Sequence, residues 1–276
     1  TKKVTAKKDD NKKKEPKVIS LLDPKQSLNI NIFLNQFKRP ADKIAEGIRS
    51  GDSKVFDPDA LKGFLKILPD TTTVGMLKDF KGDKNKLGNA EKFLLALIVV
   101  PHYKLRLEGM IAKEDFKSTV DMLNEKIDIL LRATEDILNN DCLPEILHLI
   151  LTIGNFMNSG GRAGNAIGFK INSLTKLVDT KANKPRMNLM HFLVEVAEEK
   201  RSSVLSFSED MKHLTDASKL NVDNLSGELS TLRKNLSSLQ KSMEKGDDDV
   251  KNQLGTFLKD ALKEVENVEQ KLKQLN

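Results

Sequence analysis

Apolar residues recur near the end of this chain at alternating steps of three and four: Val222, Leu225, Leu229, Leu232, Leu236, Leu239 and Met243. Only a helix brings such positions onto one face, and the 3,4 alternation makes that face a narrow seam that another helix must cover. Gly246-Asp247-Asp248-Asp249 interrupts the pattern. Val250, Leu254, Phe257, Ala261, Val265, Val268, Leu272 and Leu275 then resume it. Two such stretches around a Gly-Asp break predict a helical hairpin. A third seam, Val120, Leu123, Ile127, Leu130, Thr134 and Ile137, lies in a long helix predicted over 103–139. It is the partner expected for the hairpin, in an antiparallel bundle; a seam on a second chain is the alternative. No stretch alternates apolar and polar residues, so no sheet is expected.

Shorter elements flank the long helix. Asp23-Pro24 and Asp57-Pro58 each place a capping carboxylate before a proline at the first helical position. Helices are predicted over 23–37, 41–50, 58–68, 74–80 and 90–100, forming a compact lobe. A second lobe is expected over 143–200: an apolar helix from Pro144 to Ile153, a Gly-rich loop over 158–168, a short helix near 170–178 and another over 187–200. The first of these predicts a buried helix ending at Gly154-Asn155, where the backbone can turn and be approached closely. Asn155 and Asn158 would offer paired donors and acceptors to whatever comes near.

The net charge of +6 is concentrated at one end: the first 17 residues hold eight lysines against three acids. A solvated linker explains such a segment. It has no aromatic residue to stack on bases, so nucleic-acid binding is not expected, and an acidic protein surface would attract it equally. The longest apolar run, Phe93–Val100, falls short of the roughly 18 residues of a membrane span. A single cysteine, Cys142, leaves no internal disulfide and suits a reducing, cytoplasmic setting.

Enzyme chemistry finds no constellation. The glycine-rich loop follows a helix instead of a strand and lacks phosphate-loop spacing. His102, His148, His191 and His213 are scattered, without cysteine or carboxylate at metal-ligand spacing. His148, on the apolar helix, is expected to be a satisfied core histidine. No cofactor or metal is predicted.

Binding surfaces are better indicated. On a helix, Ile30, Phe33, Leu34 and Phe37 share a stripe, whereas Ile32 points about 150° away with Leu28 beside it. Ile32 is therefore either wedged against another helix or exposed for a partner. Lys181 lies in the loop Asp179-Thr180-Lys181-Ala182-Asn183-Lys184-Pro185-Arg186 and by composition is an ordinary surface lysine.

The stretch Gly154-Asn155-Phe156-Met157-Asn158, leading to Gly168-Phe169-Lys170-Ile171, resembles the signature of the formin homology-2 domain. The resemblance extends to Leu22-Asp23-Pro24-Lys25 through Asn31-Ile32-Phe33-Leu34, and to Leu177–Lys181 through Leu189–Phe192. It is nearest the inverted-formin and FH2 domain-containing branch. It implies an all-α, elongated fold: a basic linker at 1–20, a knob at 21–102, a coiled coil beginning over 103–142, a post at 143–200 and returning coiled-coil helices over 201–276. It implies actin as partner, with nucleation of filaments and processive capping of the barbed end by a ring-shaped homodimer. Ile32 and Lys181 match actin-contacting positions, with Lys176, Lys184 and Arg186 as supporting charge. Gly154, Asn155, Met157 and Asn158 match the post surface that receives the partner's lasso. By the resemblance the sequence is expected to begin in the linker, after the lasso, and to stop at Asn276, before the final helical segment of a full domain, and so to be a core fragment, mainly monomeric and weak in nucleation. A helical scaffold for another protein or for microtubules is the alternative reading.

Overall fold

Capping carboxylates start the first helices. In the computed structural model, which describes residues 19–51, 56–161, 164–181, 183 and 185–275, Asp23 accepts from the Lys25 amide at 2.9 Å and opens α1, Pro24–Leu34. Helix α2 is Ala41–Ser50. Asp57 accepts from the Ala60 amide at 2.6 Å and opens α3, Pro58–Lys66. Asp70 does the same for Thr73 at 2.7 Å and opens α4, Thr71–Asp79. That donation holds the Asp70 carboxyl below its ordinary value. Helix α4 thus begins three residues before its expected start at 74, because the cap outweighs the poor helix propensity of three consecutive threonines. Helix α1 ends earlier than expected, and a tightened turn carries Phe37 onward, its amide donating to Leu34 O at 2.9 Å.

Helix α5, Asn89–Val99, is the hub against which α1, α2 and α4 pack. The rings of Phe33, Phe37, Phe56 and Phe93 surround Phe64 at centroid distances of 4.9–6.0 Å, Phe33 and Phe56 edge-on and Phe37 and Phe93 stacked. Glu91, buried on α5, accepts from Ser20 Oγ at 3.0 Å and the Leu21 amide at 3.2 Å, which fixes the chain entering α1. Nearby, the Ile19 amide donates to Lys86 O.

The long helices follow the seams. Helix α6 is Tyr103–Leu138, α11 is Val222–Glu244 and α12 is Asp248–Leu272. Val120, Leu123 and Ile127 are buried, as are Leu225, Leu229, Leu236 and Leu239 of α11 and Val250, Leu254, Ala261, Val265 and Val268 of α12. The α6 seam opens at its far end, where Thr134 and Ile137 are exposed. Arg106 meets Gln253, Gly109 meets Leu254 and Phe116 meets Phe257, so α12 runs in the same sense as α6 and α11 is the antiparallel member. Buried Arg106 donates to the carbonyls of Arg49 and Pro101 and to Gln253 Oε1, all at 2.8–2.9 Å, with Asp247 Oδ1 at 3.4 Å. A planar guanidinium serves four acceptors where a lysine would serve fewer. Gly51 ends α2 in the left-handed region (φ 65°), and the Gln253 side chain occupies the space a Cβ would need.

Helix α7 is Cys142–Met157, α8 is Lys176–Asp179, α9 is Leu189–Arg201 and α10 is Leu214–Ala217. Among the described residues there is no strand, only isolated bridges pairing Ile19 with Leu87 and Lys181 with Asn188. The fold is all-α. Its described residues divide into two compact units, one within 1–120 and 230–266, the other within 121–229 and 267–276. No helix among the described residues is long and apolar enough to cross a membrane.

Candidate functional site

The aromatic core of the first unit decides which way α1 faces. Ile30 is 1% exposed, and Phe33, Leu34 and Phe37 pack partly buried onto the cluster. The opposite face therefore points to solvent: Ile32 is 57% exposed and Leu28, one turn earlier, 59%. Of the two orientations open to Ile32 in the sequence, the structure has the exposed one. A large apolar pair on a helix whose own core is complete gains nothing from folding and is available to a partner.

Lys181 is exposed, and its loop is held by a residue the sequence analysis did not single out. Asn188 caps α9 by accepting from the His191 amide at 3.0 Å, while its Nδ2 donates to Val178 O at 3.0 Å. The Leu189 amide donates to Thr180 O at 2.8 Å. One asparagine thus ties the end of α8 to the start of α9 and fixes the turn that presents Lys181. Its signal was legible: Asn-x-x-His is a capping box with histidine in the third position, and the Asn188 amide donates back to His191 Nδ1. Lys176 and Arg186 are exposed nearby in sequence, and Arg186 sits in the left-handed region at φ 63°. Lys184 lies outside the described residues, as do Ala182 and residues 1–18 of the basic segment.

The Gly154–Asn158 stretch differs from its sequence reading. Helix α7 does not stop at Gly154; it continues to Met157. Among the described residues no atom of another part of the chain lies within 4 Å of where a Gly154 Cβ would be, so no close backbone approach among them accounts for it. Asn155 is not free to meet a partner through its amide. Its Nδ2 donates to Ala166 O at 2.9 Å and its Oδ1 accepts from the Ala166 amide at 2.7 Å, closing the glycine-rich loop onto the helix. Gly164 is the glycine the loop requires, since a Cβ there would come within 2.8 Å of Asn158 O. Asn158 and Met157 are exposed.

Helix α7 is also not the buried helix its composition suggested: only Ile146 is buried. The helix packs on α9 and on the turn Ser202–Ser208 along one side. Its other side is open, with Phe156 80% exposed, and across the loop Ile167 and Ile171 are exposed too. His148 is exposed on this open side, lining a shallow cavity with Leu147, Leu151, Gly168, Phe169 and Ile171. It is not a core histidine. An apolar helix supplies the residues for burial but not the partner that covers them, which is why the burial expectation failed here.

Polar ties hold the rest of this unit. Arg201 pairs with Glu145 at 2.7 Å, and Asn140, buried, donates to Phe207 O at 2.9 Å. The His213 amide donates to Asp136 at 3.0 Å and chiefly this holds the Asp136 carboxyl below its ordinary value. Cys142 is partly buried near Ser203 O. Among the described residues no group of histidine, cysteine, aspartate or glutamate could hold a metal ion.

The Formin Homology 2 Domain family model matches residues 1–276. The chain is 42% identical over 251 residues to FH2 domain-containing protein 1 of Homo sapiens, covering 91% of this chain and 22% of that protein. It is 42% identical over 257 residues to inverted formin-2 of Xenopus tropicalis, covering 92% and 19% respectively. Formin-A of Dictyostelium discoideum is 35% identical over 246 residues, covering 88% and 20%. The chain spans about a fifth of the length of these relatives.

Proposed function

This chain belongs to the formin homology 2 family, and from that premise we propose that it is an actin-binding module working at the fast-growing end of a filament. The observation that carries the reading is the exposure of Ile32 on a helix whose inward stripe is already satisfied by an aromatic core. A branched side chain held rigidly by α1 suits an apolar groove on a partner, because little conformational freedom is lost on docking. Lys181 adds a cation on a turn fixed by Asn188, suited to an acidic surface such as that of actin. Lys176 and Arg186, and Lys184 by sequence, contribute attraction that salt screens.

The open side of α7 has a separate role in this reading. Met157 and Phe156, with the loop that Asn155 closes, form an apolar shelf for a segment of a second subunit. Gly154 keeps that shelf low, and Asn158 borders it. In a dimer so assembled, each half would bridge actin subunits and the pair would nucleate filaments and cap the barbed end while it grows. No step in this mechanism asks for a metal, a nucleotide or a catalytic side chain from this chain.

Barbed-end elongation assays with the full chain test the assignment. Ile32→Ala and Lys181→Asp should each weaken actin binding by about tenfold or more, the scale of an interface hot spot, with unchanged helicity. Unchanged actin binding in both variants would refute the site, and binding to microtubules but not actin would favour a different scaffold function.

A further inference from the structure

A cleft of about 670 Å³ opens in the first unit between the end of α1, the start of α2, the turn Lys84–Lys86 and the start of α5. Its volume lies in the range of ligand-binding clefts. Leu34, Phe37, Ile44 and Leu95 give it an apolar floor. Its wall carries three cations, Arg39, Lys84 and Lys92, against one carboxylate, Asp42. All three cations are exposed, and none is ion-paired among the described residues. Asn35, Asn85 and Asn89 are exposed beside them, with no side-chain hydrogen bond among the described residues. Carboxamides can hydrogen-bond both the main chain of an extended peptide and its carboxylates.

Charge selects the occupant. The Lys-rich first 17 residues of this chain, eight lysines and three acids, would be repelled by these cations. A nucleic-acid strand would want exposed rings to stack on, and the one ring lining the cleft, Phe37, is committed to the core cluster. An extended acidic peptide with an apolar side chain answers both the rim and the floor.

We propose that this cleft is a docking site for an acidic linear segment of a partner protein, gripped by Arg39, Lys84 and Lys92 and anchored by one apolar side chain on the floor. It lies on the same helix as Ile32, but Ile32 is not among its lining residues. The proposal goes beyond the filament-end reading and does not depend on it.

The test uses the full chain and a fluorescently labelled peptide of glutamates and aspartates around a single phenylalanine, followed by anisotropy. Lys84→Glu/Lys92→Glu should weaken binding by about tenfold or more, and salt should weaken it further. Lys25→Glu/Lys66→Glu makes the same change in net charge at a different groove of the same unit and should alter affinity by less than about twofold. Replacing the phenylalanine of the peptide by serine should also weaken binding. Equal losses in the two double variants would mean diffuse attraction and would overturn the proposal. So would equal binding of a serine-substituted peptide, or of a short single-stranded oligonucleotide. Circular dichroism of each variant separates lost binding from lost folding. Ile32→Ala should leave peptide affinity unchanged, so failure here and failure of the actin site are distinct results.

Discussion

Helices α5 and α7 are the most apolar in the chain, and they are used in opposite ways. On α5, Ala90, Glu91, Phe93, Leu94 and Leu97 are all buried, and even its glutamate is turned inward to hold the chain at Ser20–Leu21. On α7 only Ile146 is buried, and the end of the helix leaves Phe156 mostly in solvent. The difference is in the neighbours. Three helices close over α5, whereas α7 is covered on one side by α9 and the Ser202–Ser208 turn. Burial is a property of an assembled set of faces. An apolar helix left half-covered in one chain marks a place where folding within that chain is not the end of the story.

The largest expected effect lies on the α5 side. Phe64 is fully buried and touches four other rings, so Phe64→Ala leaves a cavity that the surrounding side chains cannot fill. A loss of about 3–5 kcal/mol is expected, read as a shift in the urea midpoint. Truncating Phe156 to Ala on α7 should cost under about 0.5 kcal/mol by the same measurement, because water already covers that ring. Comparable losses at both positions would show that α7 is sealed in solution and would dissolve the contrast.

Smaller, and local, is the effect of Asn155. Polar ties hold the loop after α7, and the paired hydrogen bonds from Asn155 to Ala166 are the clearest of them. Asn155→Ala removes both at an exposed site, for about 1–2 kcal/mol of loop closure. Hydrogen exchange should rise at Ala166 and its neighbours while the amides of α5 keep their protection. Protection lost across both units would mean that the loop supports the whole fold.

Much of this was written plainly in the chain. The 3,4 spacing located α6, α11 and α12, since helical periodicity survives any arrangement of the partners. Asp23-Pro24 and Asp57-Pro58 located two helix starts because cap and proline act within one turn. The stripe Ile30, Phe33, Leu34 and Phe37 turned Ile32 away but left it either wedged or exposed, and only the structure, with Ile32 57% exposed, decides between them. What failed depended on contacts distant in sequence. His148 and the rest of α7 lack the neighbour that burial requires. Asn155 spends its amide on Ala166, eleven residues ahead, a pairing no local pattern encodes. Asn188 was missed for a different reason: histidine stood where a glutamate usually completes the capping box. The cleft of Arg39, Lys84 and Lys92 draws on three separate elements and becomes visible only when α5 brings them together.

The smallest expected change is the most discriminating. Gly154 sits inside α7 with open space where a side chain would go. Within this chain, Gly154→Ala should therefore stabilise the helix by up to about 1 kcal/mol, because alanine loses less backbone freedom on folding than glycine. If the open side of α7 receives a segment of a second subunit, the added methyl stands between the two surfaces and should weaken their association. Stability to urea and self-association by sedimentation, measured in a protein that dimerises, would then move in opposite directions. A glycine conserving room for something outside the chain has that signature. One that merely tolerates its place in the helix would raise stability and leave association unchanged, and α7 would then be an apolar surface without a claimed use.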